Sequence, residues 1–285
     1  MGALYLIISG AAFGLLPWFA RTAYDHGAEP LGMLVARFIL AALGMLLVRS
    51  FRPSHFPWPE KKLFLQLFAL GAAGYAIQSS FYFYGVQRID ISLGTVIFYS
   101  YPVMVVLASW AVFKQKPSLR MTVCLSVVVS GVALTAGQVQ AGTYLGVFSM
   151  IMAAITYTAY ILVSSKITHK AGAFMSLTIV MIGASFGHAA AWPFHQASLP
   201  NDSIGWLATI GAAFFSTVIA MGFFFAGVAR LNPGEAAVLS TTEPVVTIVV
   251  GVLALGEALT ASRFIGAVAV LVGVVVLAQL SRADT

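Results

Sequence analysis

A chain of 285 residues that is 60% hydrophobic and only 8% charged lacks the polar surface of a water-soluble domain, which carries about 25% charged residues. Its mean hydropathy of +0.95 assigns it to a lipid bilayer. The formal net charge of +6 sits in short clusters between apolar runs, not on a polar face, which argues against nucleic acid as a partner and fits the positive-inside rule.

Segments of roughly 20 apolar residues, the length that crosses a bilayer, predict ten transmembrane helices in an all-α polytopic membrane protein. In the first half they run over Leu4 to Tyr24, Leu31 to Val48, Leu63 to Val86, Ser92 to Phe113 and Leu119 to Gly137. In the second half they run over Tyr144 to Ser165, Phe174 to Phe194, Ile204 to Val228, Pro233 to Leu255 and Ser262 to Leu280. The connections are short except for Arg49 to Lys62, where RPSHFPWPEKK suits the membrane interface with Trp58 at headgroup level.

An offset of 142 residues superposes four short matches. Gly227 to Asn232 falls on Gly85 to Asp90, Pro244-Val245 on Pro102-Val103, Gly273-Val274 on Gly131-Val132, and Ala153-Ala154 on Ala11-Ala12. One gapless offset of half the chain predicts a tandem duplication, residues 1–142 and 143–285, folded together as one transmembrane domain. Five helices per copy is an odd number, so the two copies are expected to be inverted. Loops on the side of both termini hold eleven Lys and Arg residues, and the other side holds Arg21, Arg88 and Arg263. That bias predicts cytoplasmic termini.

The stretch Gly234 to Thr260 carries Glu243 and Pro244 near its middle, and Pro102 repeats the break in the first copy. Proline at 244 cannot bond the Ser240 carbonyl, which then needs another partner. Polar and aromatic groups gather at spacings of three and four: Gln78, Ser79 and Tyr82; Thr95, Phe98 and Tyr99; Thr156, Tyr157 and Tyr160; Ser240 and Thr241. Each stripe alone also suits interhelical packing. Together, at the level of two related prolines, they predict a midplane pocket whose substrate-binding residues are Gln78, Tyr82, Phe98, Tyr99, Tyr157, Ser240 and Thr241. Such walls suit a small, partly apolar molecule with an aromatic ring.

Three ionisable groups inside the apolar segments have two readings each. Glu243 either stabilises the helix break or serves energy coupling. Arg37 either snorkels, being about 9 Å from its helix start, or attracts a substrate carboxylate. His188 reads as a satisfied interhelical histidine before a proton relay. The single cysteine, Cys124, reads as a small buried hydrophobe. No HExxH or CxxC pattern occurs, so no catalytic residue, metal or cofactor is expected and the chain does not read as an enzyme.

The run GTVIFYSYPVMVVLASWAVF, with Arg120 and Ser130-Gly131-Val132, resembles the EamA repeat of the drug/metabolite transporter superfamily. The second copy, EAAVLSTTEPVVTIVVGVLALGEALT with Gly266 and Gly273-Val274, resembles it more closely. The first copy departs from it, with Gln115-Lys116 where Gly-Glu-Ala is expected. Within the family, the stretches Gln78 to Tyr84 and Tyr99 to Pro102 are most like the YddG aromatic amino-acid exporters. The resemblance implies a ten-helix basket in a bacterial inner membrane, a monomer or homodimer, with a cavity lined by helices 1, 3, 4, 6, 8 and 9. It also implies export of aromatic amino acids and similar metabolites by alternating access. The alternative is a proton-coupled exporter of quaternary ammonium drugs.

Overall fold

The computed structural model describes residues 1–113, 119–136, 143–194, 197–228, 230, 239 and 242–283, and among them every regular element is helical. Six helical rods are long and apolar enough to cross a membrane: Gly2–Asp25, Pro30–Phe51, Lys61–Arg88, Tyr144–Thr168, Ala173–Phe194 and Ser203–Phe224. Shorter apolar helices cover Ile91–Val105, Thr122–Leu134, Thr242–Leu255 and Ala261–Val276. Leu43, Phe186, Leu207 and Leu253 are exposed on the outside, a surface suited to acyl chains and not to water. The chain is a multi-pass membrane protein.

Local sequence decides where the rods bend. α1 (Gly2–Gly14) gives way to α2 (Leu16–Asp25) at Leu15, because Pro17 in the first turn of α2 has no N–H for the Phe13 carbonyl. α3 (Pro30–Phe51) starts on a proline whose fixed φ suits a first helical turn. α4 (Lys61–Ala69) and α5 (Ala76–Arg88) are joined by a π turn over Leu70–Tyr75. α6 (Ile91–Phe98) stops at Tyr99, where the Ser100 hydroxyl donates to the Ile97 carbonyl at 2.7 Å, and α7 (Tyr101–Phe113) restarts with Pro102 in its first turn.

α8 (Leu119–Ala136), α9 (Tyr144–Ala171) and α10 (Ala173–Ala191) follow. α11 (Ser203–Ala213) and α12 (Ala220–Val228) are again joined by a π turn, over Phe214–Ile219. The two π turns begin 144 positions apart, within two residues of the sequence offset. α13 (Thr242–Leu255) and α14 (Ala261–Ala283) complete the chain. Pro244 was expected near the middle of a helix beginning at Pro233. The described helix covers Thr242–Leu255 with Pro244 buried in it, Leu239 is helical, and residues 231–238, 240 and 241 lie outside the described residues. Ser240, whose carbonyl was expected to be freed, lies outside the described residues.

Hydroxyl groups join the first rod to helices late in the chain. Ser9 Oγ donates to the Ala220 carbonyl at 2.8 Å, Ser216 Oγ to that of Ala12 at 2.5 Å, and Thr247 Oγ1 to that of Gly14 at 2.9 Å. Gly10 and Gly14 let α1 lie directly on the start of α13: a Cβ at Gly14 would stand 2.6 Å from the Glu243 carbonyl oxygen. α8 and α14 pack by the same means, since a Cβ at Gly131 would stand 2.8 Å from the Gly266 carbonyl oxygen.

At one end of the bundle charged groups complement helix ends. Arg21 Nη1 donates to the Val86 and Gln87 carbonyls at 2.9 Å, meeting the negative end of α5. The Glu257 carboxylate accepts from the Ile91 and Ser92 N–H groups at 2.5 and 3.0 Å, meeting the positive end of α6. Asp90, which precedes α6, accepts from Arg263 Nη1. The junction from Val86 to Ser92 is thus held from two sides. Nearby loops add Glu29 N–H to the Ser198 carbonyl and Asn201 N–H to that of His26, both at 2.9 Å. Asp202 caps α11 through the Gly205 N–H at 2.9 Å and meets His26 Nδ1 at 2.6 Å. The Gly205 N–H, and then His26, hold the Asp202 carboxyl below the usual carboxylate range.

Candidate functional site

A cavity of about 550 Å³ lies inside the bundle, lined by residues from both halves of the chain. Gln78, Tyr82, Phe98, Tyr99, Tyr157, Pro102 and Glu243, all singled out from the sequence, line it. Pro244 is buried behind Glu243 and is not among the lining residues. Ser240 and Thr241 lie outside the described residues. The sequence stripes converge because they occupy three rods that surround one space: α5, the α6–α7 junction and α9.

The rings form a connected wall. Tyr82 meets Phe98 edge-on at 5.0 Å between centroids, Phe98 lies 5.4 Å from both Tyr101 and Tyr157, and Tyr101 meets Tyr157 at 4.9 Å. Tyr157 stacks on Tyr160 at 5.9 Å, and Tyr160 contacts Tyr75 at 5.3 Å. Tilted and edge-to-face pairs at these distances are the favourable ones, so the wall is rigid before any molecule enters. The break at Tyr99 and Ser100 turns successive side chains of one rod, Phe98, Tyr99 and Tyr101, toward the same space.

Among the described lining residues only Arg37 and Glu243 carry formal charge. Glu243 stands in α13, directly before Pro244, and lines the cavity together with Tyr99. Arg37 does not snorkel. It is 2% exposed and points inward, with Nε and Nη2 donating to Thr217 Oγ1 at 3.2 and 3.0 Å. Its guanidinium carbon lies 4.8 Å from the Phe38 ring and 5.2 Å from that of Phe83. His188 is satisfied between helices: Nδ1 lies 2.7 Å from the Ala184 carbonyl and Nε2 lies 3.3 Å from the Ser79 and Ser80 hydroxyls.

Several lining residues were not singled out from the sequence. Tyr101 stands three residues after Phe98, so its spacing was a usable signal, and Tyr160 was named in a stripe but not among the expected binding residues. Ser9, Phe13 and Phe224 lie in apolar runs of ordinary composition, and nothing in the sequence marks them. Among the described residues no group of three or more His, Cys, Asp or Glu side chains could hold a metal ion.

Residues 1–137 and 144–279 each match the model of the EamA-like transporter family. The chain is similar to two uncharacterized transporters of Bacillus subtilis (strain 168). YcbK is 25% identical, over 93% of this chain and 88% of the relative, and YwfM is 24% identical, over 98% and 94%. The uncharacterized transporter sll1319 of Synechocystis is 26% identical over 64% of this chain and 56% of its own. A solved crystal structure that is 17% identical superposes with a TM-score of 0.68, covering 100% of this chain and 99% of the other. That likeness concerns the fold alone.

Proposed function

Because this chain belongs to the EamA-like transporter family, we propose that it exports small amphipathic molecules with an aromatic ring, aromatic amino acids foremost, across a bacterial inner membrane through the central cavity. The observation that carries this reading is the wall of Tyr82, Phe98, Tyr101 and Tyr157 around a space of about 550 Å³. A ring entering that space gains edge and face contacts of about 0.5–1.5 kcal/mol per pair beyond its area burial.

In this reading the six long rods and four shorter apolar helices are ten spans. Residues 1–142 and 143–285 form two inverted five-helix repeats, with both termini in the cytoplasm. The paired prolines, the two π turns and the twofold family match support the duplication. Inverted repeats give two nearly equivalent arrangements around one site, the basis of alternating access. The charged clamp over Val86 to Ser92 ties neighbouring helices together at one end in the present arrangement.

A second reading, proton-coupled export of quaternary ammonium drugs, draws on the presence of Glu243 within an aromatic wall. Uptake by liposomes holding the purified protein separates the two. Phenylalanine or tryptophan uptake without a pH gradient supports the first. Uptake of tetraphenylphosphonium that requires a pH gradient, with no amino-acid uptake, supports the second.

A further inference from the structure

Arg37 is a buried cation with no acid beside it among the described residues. Its side chain ranks among the largest fully buried ones, and no described carboxylate lies within ion-pair distance of it. Taking a charge out of water is costly, and a buried cation ordinarily stands beside a counter-charge that offsets part of that cost. Here the neighbours that hold the guanidinium are neutral. Thr217 accepts from Nε and Nη2, while its own proton goes to the Ala212 carbonyl at 3.0 Å. Phe38 and Phe83 offer ring faces. These contacts fix the direction of the fork and leave its charge uncompensated.

The surroundings of that fork are built, not incidental. Thr217 sits in the π turn Phe214–Ile219, and Tyr75, which ends the π turn Leu70–Tyr75, lines the same cavity as Arg37 and stands 5.6 Å from the ring of Phe38, the next residue. Both irregular turns therefore flank one residue of α3. π turns recur at functional sites because they reposition a side chain without ending a helix. Arg37 also lines the cavity, as do Tyr82 and Glu243. The ring wall thus lies in a cavity that also presents one fixed cation and one acid.

We propose that Arg37 is the anchor for a carboxylate on the transported molecule, which makes the cavity a site for organic carboxylates and zwitterions and not for organic cations. This rests on the reading of the cavity as the transport site. A guanidinium matches a carboxylate with two parallel hydrogen bonds, and its charge disfavours a ligand whose only charge is positive. A ring carried by a molecule whose carboxylate is held at Arg37 shares the cavity with Tyr82 and Phe98.

Binding of four molecules to the purified full chain, measured by calorimetry, tests the proposal: phenylalanine, 3-phenylpropionate, phenethylamine and leucine. Phenylalanine and 3-phenylpropionate should bind at least about thirtyfold more tightly than phenethylamine, the size expected for a buried hydrogen-bonded charge pair. Arg37→Gln should remove that preference, and Arg37→Lys should keep part of it. Phenethylamine binding as well as 3-phenylpropionate, or a preference that survives Arg37→Gln, overturns the anchor. Leucine binding as well as phenylalanine overturns the aromatic reading of the cavity and leaves the anchor standing. Should Arg37→Gln not fold, the ranking by the parent and by Arg37→Lys decides, and a folded parent that binds none of the four overturns both.

Discussion

Tyr101 and Glu243 stand 142 positions apart, each directly before a proline in a helix, and both line the same cavity. Equivalent places in the two copies thus hold a neutral phenol and an acid. Glu243 precedes Pro244 in α13, and no described cation lies within ion-pair distance to hold it ionised. A side chain that stays neutral there needs no proton cycle. Glu243→Gln should therefore fold as the parent does and keep substrate flux within about threefold, a change of less than about 0.7 kcal/mol. A variant that folds yet loses a flux response to pH shown by the parent would instead mark Glu243 as the coupling group.

Gly14 has no room for a side chain. Its Cβ position lies 2.6 Å from the Glu243 carbonyl oxygen and 2.8 Å from Val246 Cβ. Gly14→Val should force α1 off α13, stretch the Thr247 to Gly14 hydrogen bond and lower stability by about 1–3 kcal/mol. Thermal melting in detergent checks this, and an unchanged midpoint would mean that α1 and α13 are not packed this closely.

Glu257 holds two backbone N–H groups at the start of α6, and a Cβ at Gly251 would fall 2.5 Å from its Oε2, so the carboxylate is closely housed. Glu257→Gln removes the charge and one of the two acceptors, a loss of about 1.5–3 kcal/mol for hydrogen bonds to a charged group. The clamped end should open more often. In a Cys124→Ser background, a cysteine replacing Ser92 should react faster with a thiol reagent when Glu257→Gln is added. Equal rates would show that the clamp does not govern this end.

Asp202 lies outside the apolar rods and is held below the usual carboxylate range by Gly205 N–H and then by His26. A depressed carboxyl contributes stability above its unfolded value, about pH 4, and loses it as pH falls through the folded value. The melting midpoint of the parent should therefore drop more steeply on acidification below about pH 4 than that of Asp202→Asn, which keeps a capping oxygen but cannot titrate. Parallel pH profiles would contradict the assignment.

The ring wall was legible in the sequence because spacings of three and four, set among apolar residues, already commit Tyr82, Phe98 and Tyr157 to inward faces. Pro102 marked a real discontinuity, since α6 ends at Phe98 and α7 restarts at Tyr101. The two π turns were not legible. Leu70 to Tyr75 and Phe214 to Ile219 have ordinary helical composition, and a slipped hydrogen bond is stabilised by distant partners such as Arg37 on Thr217. The choice between the two readings of Arg37 was not legible for the same reason, since its direction depends on a hydroxyl 180 positions away. The contact of Gly14 with Glu243 likewise joins opposite ends of the chain.

Counterflow of radiolabelled phenylalanine in liposomes containing the purified protein tests the central claim most directly. The parent should show saturable counterflow that unlabelled tryptophan displaces. Tyr82→Ala and Tyr99→Ala, at equal amounts of folded protein, should each weaken it about twofold to tenfold, the value of one lost aromatic pair. Parent protein that is folded and reconstituted yet shows no counterflow of any aromatic amino acid, or flux that both variants leave unchanged, would contradict the account.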